Sequence, residues 1–174
     1  MILLANSKDL HELNICIITI PLQSQSGSYY TILNNFLRII SPLVNEVFLI
    51  TSNFSGDKGS NSRIRILDLN MLPQKRKNIF YKAIYQIIAE LKITLSLIRI
   101  YRRFDGPIFI LSSSLLLPVI AAKFLKKTSI LTAVASGSTN ARIIYKSAPI
   151  YMRYYYCLSN QMLELLTFKL AKYI

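Results

Sequence analysis

The sequence predicts an α/β fold: a doubly wound, mostly parallel, Rossmann-like sheet of about five strands flanked by helices, in one domain over residues 1–174. Two observations predict it. Short β-branched runs such as ICIITI (15–20) and VFLIT (47–51) alternate along the chain with stretches whose apolar residues recur at helical spacing. The chain, at 174 residues and 52% hydrophobic, can bury a substantial core, and neither an internal repeat nor a low-complexity tract breaks it.

The first element is the stretch from Asn14 to Ser28. Its apolar run ends at Pro21, and a polar loop delivers Ser26, Gly27 and Ser28 to the start of a helix. In an open α/β sheet that loop borders the ligand crevice, and the free N–H groups of the helix start favour an anion such as phosphate. The other reading is a solvated connection capped by Ser28. Tyr29, Leu33, Phe36 and Ile40 form the apolar face of the following helix, which Pro42 closes. Asn45 is expected to take the left-handed turn conformation before the second strand, VFLIT. Residues 52–62, rich in breakers, read as a surface loop, and RIRILDL (63–69) as a third strand nearer an edge.

A basic linker, QKRKN, leads into the clearest helical pattern. Phe80, Ile84, Ile87, Leu91, Leu95 and Ile98 line one face and Lys82, Lys92, Arg99 and Arg103 the other; such a stripe could lie on a membrane, but a helix packed on the sheet has the same pattern and is the commoner case. After the breaker Asp105-Gly106-Pro107 come the strand IFIL and a helix running to about Lys127. Residues 106–122 carry no charge for 17 positions, the lower limit of a membrane span, but Pro107, Pro118 and the serines 112–114 favour a buried strand plus a short helix. Ser129–Val134 is a further strand, Ala135–Asn140 a small-residue loop, and the last helix runs from about Pro149 to Ala171. Its expected stripe is Met152, Tyr155, Leu158, Met162, Leu166 and Leu170.

Charge and chemistry narrow the function. The net charge is +13, and from Arg99 onward eleven Lys/Arg face two acids, Asp105 and Glu164, so anionic partners are favoured: phosphorylated substrates, anionic lipid or nucleic acid. One His and two distant Cys exclude a structural zinc site, and a Ser-His-Asp triad would rest on His11, a surface residue by its context. The Cys usage reads as a reducing, cytoplasmic compartment, and the N-terminus lacks the pattern of a signal peptide. Neither GxxxxGK[ST] nor GxGxxG occurs. Aromatic and basic residues mix around Tyr81, Lys82 and Tyr85, and again at Tyr145, Lys146, Tyr151, Arg153, Tyr154, Tyr155 and Tyr156. That composition suits a single-stranded nucleic acid or a membrane interface, or a Tyr-rich helix packed on another surface.

Three stretches carry a resemblance: ICIITIPLQSQSGSYYTILNNFL, NEVFLIT, and SILTAV with its loop and long, basic, aromatic helix. In order and spacing, over roughly residues 14–174, they resemble the N-terminal domain of GT-B type glycosyltransferases of the glycosyl transferase group 1 family. The resemblance implies the acceptor-binding half of an enzyme that moves a sugar from a nucleotide sugar to a cell-surface glycan or lipid-linked acceptor, as in polysaccharide biosynthesis. It implies cytoplasmic residence at the inner face of the cell membrane, with an anionic membrane surface as a further partner, and it points away from nucleic acid. Ser26, Gly27 and Ser28 would then touch donor phosphate, and Ser136, Gly137 and Ser138 would line the acceptor side. Lys146, Tyr151, Arg153 and Tyr154 would face membrane or acceptor. No cofactor or metal is implied, and no catalytic residue is assigned. Where the family has paired glycines this chain has Ser26-Gly27, and where it has a His this chain has Ala135-Ser136-Gly137. The family's second domain, which grips the nucleotide sugar, is expected to be missing, so the chain reads as a truncated or split transferase, inactive alone. The alternative is a non-enzymatic basic module that binds membrane or nucleic acid.

Overall fold

The computed structural model describes residues 10–22, 28–54, 63–71, 79–132 and 150–171. Strands β1 (Asn14–Ile18), β2 (Glu46–Thr51), β3 (Ile64–Asp68), β4 (Ile108–Ile110) and β5 (Ser129–Leu131) form one parallel sheet in the order β3-β2-β1-β4-β5. Among the described residues four α-helices accompany it: α1 (Ser28–Ile40), α2 (Ile79–Ile100), α3 (Leu116–Phe124) and α4 (Ile150–Leu170). The expected doubly wound α/β arrangement is present.

Alternation of side chains along the strands divides the core in two. Cys16, Ile18, Phe48, Ile50, Ile108 and Ile110 point to one face, where α2 and α3 cover them through Ala89, Ile93, Leu97, Val119 and Ala122. Ile15, Ile17, Val47 and Leu49 point to the other, under Leu33 and Leu37 of α1. The β1 residues Ile15 to Ile18 are all at most 2% exposed, and Cys16 is buried among them, its thiol pushed up by desolvation. Strand β3 has half-buried and exposed residues and none fully buried, as the expected edge position requires, and its Arg65 pairs with Glu46 on β2. The face read for α1 is the packed one, and Ser41-Pro42 ends that helix in a 3-10 turn. His11 is exposed, as read.

Two helices turn the other way from expectation. On α2 the large apolar stripe Ile84, Ile87, Leu91, Leu95 and Ile98 is 45–63% exposed, and the packed face is Ala89, Ile93, Leu97 and Ile100. Alpha-helix α2 is apolar around most of its circumference, so two stripes competed for the sheet. The chosen one sets small Ala89 against the strands and turns Glu90 toward the start of α3. On α4 Tyr155, Leu158, Met162 and Leu166 are exposed, while Glu164 and Thr167 are buried, because a polar loop and not only apolar surface lies beneath it. Asn45 does not take a left-handed conformation: its backbone N–H donates to the Leu13 carbonyl and its side-chain amide to Asn14 Oδ1. Alpha-helix α3 ends at Phe124 rather than near Lys127, and β5 at Leu131, with Val134 outside the described residues.

The turn into β4 leaves no room for a side chain at Gly106. Its N–H donates to the Asn14 carbonyl at 2.8 Å, and a Cβ there would lie 2.9 Å from that same oxygen and 3.0 Å from Ile15 Cγ2. Backbone of the central strand cannot give way cheaply. Gly106→Ala is therefore expected to cost ~1–3 kcal/mol, read as a fall in thermal midpoint of about 2–4 °C per kcal/mol. A melt that matches the parent would show that the turn is slack.

Candidate functional site

The sheet reverses direction between β1 and β4: the chain builds β2 and β3 on one side of β1, then α2 carries it back across to β4 on the other. In open α/β sheets ligands bind at such a reversal, outside the carboxyl ends of the strands. There β1 continues into buried Thr19, and β4 continues through Leu111 into Ser112, Ser113 and Ser114. The two ends are held together by the Leu111 N–H on the Ile18 carbonyl at 2.9 Å, while the Thr19 N–H reaches Ile50 at 3.2 Å.

The three serines share their polar groups among a small network. Ser112 and Ser114 hydroxyls are 2.9 Å apart, and the Ser114 N–H donates to Ser112 Oγ at 3.3 Å. Ser113 turns the other way and donates to Glu164 Oε1 at 2.9 Å, a buried bond between residues 51 apart in the chain. Glu164 is 8% exposed, so a carboxylate from α4 is brought into the reversal point. Tyr29, in the first turn of α1, lies close enough to sense it: burial pushes the phenol up, and the Glu164 charge pushes it further. Tyr29 thus stays a proton donor.

A second buried carboxylate holds the site's frame. Alpha-helix α3 begins after Leu115 with no side-chain cap of its own. Glu90 of α2 supplies it, its Oε2 accepting the Leu117 N–H at 3.0 Å. Burial raises the Glu90 carboxyl, opposed by hydrogen bonds from Leu117, Gln86 and Leu116. The ends of β2 and β3, by contrast, are consumed by structure. Ser52 Oγ accepts the Met71 N–H at 2.9 Å, and the Asn53 amide donates to the Met71 and Leu22 carbonyls at 2.8 and 3.2 Å.

Of the residues singled out from sequence, Ser26, Gly27, Ser136, Gly137, Ser138 and Lys146 lie outside the described residues. Ser28 opens α1 at the crevice end, Tyr151 and Arg153 sit in the first turn of α4, and Tyr154 is exposed. What the fold brings together is a set the sequence reading passed over: Ser112 to Ser114, Glu164 and Tyr29. A run of serines straight after a strand, and a single acid inside an otherwise basic helix, were the available signals. Hydroxyls that both donate and accept, beside one carboxylate, suit a polyhydroxylated ligand. Among the described residues no cluster of His, Cys, Asp or Glu could hold a metal ion.

No protein-family model matches the chain, and no curated protein matches it. Solved structures similar to it include a UGT transferase from Siraitia grosvenorii in complex with UDP, 13% identical with a TM-score of 0.48 over 77% of this chain and 32% of that one. Another is TcCGT1 in complex with UDP, at 6% identity and TM-score 0.49 over 78% and 31%. A third is Glycyrrhiza uralensis UGT73P12 complexed with glycyrrhetinic acid 3-O-monoglucuronide, at 17% and 0.47 over 78% and 31%. The chain spans about a third of the length of each of these.

Glu90 gives a pH test of the frame. Because its folded carboxyl holds a proton more tightly than an ordinary one, ionisation costs stability: the cost is absent at pH below the ordinary carboxyl range and grows as pH rises through the raised value. Glu90→Gln keeps an oxygen for the Leu117 N–H without the charge. It should match the parent in acid and exceed it at pH 8 by on the order of 1 kcal/mol in urea unfolding, whereas Glu90→Ala should lose ~1–3 kcal/mol. Parallel pH profiles for parent and Glu90→Gln would count against a buried, ionised Glu90.

Proposed function

We propose that this chain is the acceptor-side half of a glycosyltransferase that moves a sugar from a nucleotide sugar to a cell-surface glycan or lipid-linked acceptor. The observation that carries the reading is the meeting, at the carboxyl ends of β1 and β4 where the winding reverses, of Ser112 to Ser114, the Glu164 carboxylate and Tyr29. The sequence resemblance of the β1, β2 and β5 stretches supports it independently.

In this reading Ser113 and Glu164 hold a sugar hydroxyl of the acceptor, because a buried carboxylate accepts strongly from a hydroxyl and little water competes. Ser26 and Gly27, which precede Ser28 in the sequence, meet donor phosphate with it in this reading, helped by the free N–H groups of the α1 start. Ser136, Gly137 and Ser138 line the acceptor side in this reading, and Lys146, Tyr151, Arg153 and Tyr154 serve as acceptor or membrane contacts. Transfer needs groups from both sides of a closed cleft to meet the developing charge. This half supplies acceptor contacts, and a nucleotide-sugar-binding counterpart supplies the grip on the diphosphate.

Two measurements on the full chain test the reading. Titration calorimetry with UDP-glucose and GDP-mannose should show binding no tighter than about millimolar, with no turnover, and low-micromolar binding or transfer by the chain alone would sink the half-enzyme assignment. A glycan array should show saccharide binding that Glu164→Gln weakens about tenfold, the worth of one hydrogen bond to a charged group. An array without any saccharide signal would remove the acceptor role.

A further inference from the structure

Helix α4 is longer than the sheet it lies on. Glu164 meets Ser113 beyond the carboxyl end of β4, and Leu170 borders, with Thr128 and Ser129, a recess at the start of β5. Residues 164–170 thus pass along the sheet from its carboxyl to its amino end. The part of the helix before them, residues 150–163, carries on for about 21 Å at 1.5 Å per residue, past the carboxyl ends of the strands.

This stretch presents large apolar side chains to solvent: Ile150, Tyr154, Tyr155, Leu158, Met162 and Leu166 are 47–75% exposed. At 3.6 residues per turn they fall within one arc of about 160°, and neither Arg153 nor Glu164, the charged residues between 150 and 166, falls inside it. An exposed apolar face of that extent marks a contact site. Its spacing is also self-complementary. An antiparallel copy of the helix, turned about an axis at Leu158, sets Ile150 opposite Leu166, Tyr154 opposite Met162, and Leu158 opposite itself. Exposed, uncharged Gln161 comes opposite Tyr155, whose phenol can accept from an amide or donate to it.

We propose that two copies of this chain associate through α4, antiparallel, about a two-fold axis at Leu158. The exposed parts of these side chains amount to roughly 600 Å² per chain, so the pair buries about 1,200 Å², enough for a specific dimer at the small end of the range. The apolar stripe of α2 lacks this fit. Exposed Lys92 and Arg99 stand beside it, and a two-fold contact there would bring like charges together. Pairing through α4 also sets the partner's Ile150 against Leu166, two residues from Glu164, so each copy's projecting turns reach the carboxyl ends of the other's strands. The pairing is independent of the transferase reading, since neither Glu164 nor the serines take part in the contact.

Sedimentation velocity of the full chain, from about 1 to 100 μM, should show a dimer that dissociates in the micromolar range. Added salt should tighten it, because two chains of net charge +13 repel until screened. Leu158→Arg puts two guanidinium groups on the axis and should weaken association ~100-fold or more. Leu158 is exposed, so circular dichroism should match the parent, and Met162→Arg serves if it does not. Leu91→Arg, on the α2 stripe, should leave association unchanged. Linking reads the register. In a Cys157→Ser background the remaining thiol, Cys16, is buried. A chain with Tyr154→Cys mixed with one carrying Met162→Cys should then be joined by the shortest bis-maleimide. Neither should be joined to its own kind, because like positions stay ~12 Å apart along the axis. A monomer throughout that concentration range, a dimer that survives Leu158→Arg, a dimer that Leu91→Arg dissolves, or linking of like with like would each overturn the proposal.

Discussion

Everything in this fold is referred to β1, which is hydrogen-bonded on both edges to parallel partners and covered on both faces. A strand in that position has nowhere to place a polar side chain, and Ile15, Cys16, Ile17 and Ile18 obey the constraint. Its two-residue period sorts the core into the layer under α1 and the layer under α2 and α3, so a one-residue slip would exchange the two. The same central position makes β1 the place where the winding reverses. The crevice is therefore a consequence of the topology before any side chain enters it.

Two carboxylates then join the helices to the loop that β4 emits. Glu90 reaches from α2 to the unassisted N-terminus of α3, and Glu164 reaches from α4 to Ser113. Both are long-range ties between a helix and the Ser112–Leu117 segment, which gives that segment a fixed shape although it forms no regular structure before Leu116. Removing a buried acceptor from such a tie costs more than the bond contributes, because the donor left behind has already lost its water. The two acids differ in use. Glu90 serves a backbone N–H at the start of α3, whereas Glu164 serves a side-chain hydroxyl.

The strands were legible because burial on both faces writes itself into sequence as short β-branched runs, and α1 was legible because it has one apolar face. Alpha-helix α2 was legible as a helix but not in its orientation. With Ile or Leu at 84, 87, 88, 91, 93, 95, 97, 98 and 100, periodicity offers two stripes, and the deciding contacts, Ala89 on the sheet and Glu90 on α3, are tertiary. The candidate site was legible only as a place. Strand-to-helix grammar points to 26–28 and 136–138, of which only Ser28 lies among the described residues, whereas Ser113 and Glu164 meet across 51 residues, and no local pattern encodes such a meeting.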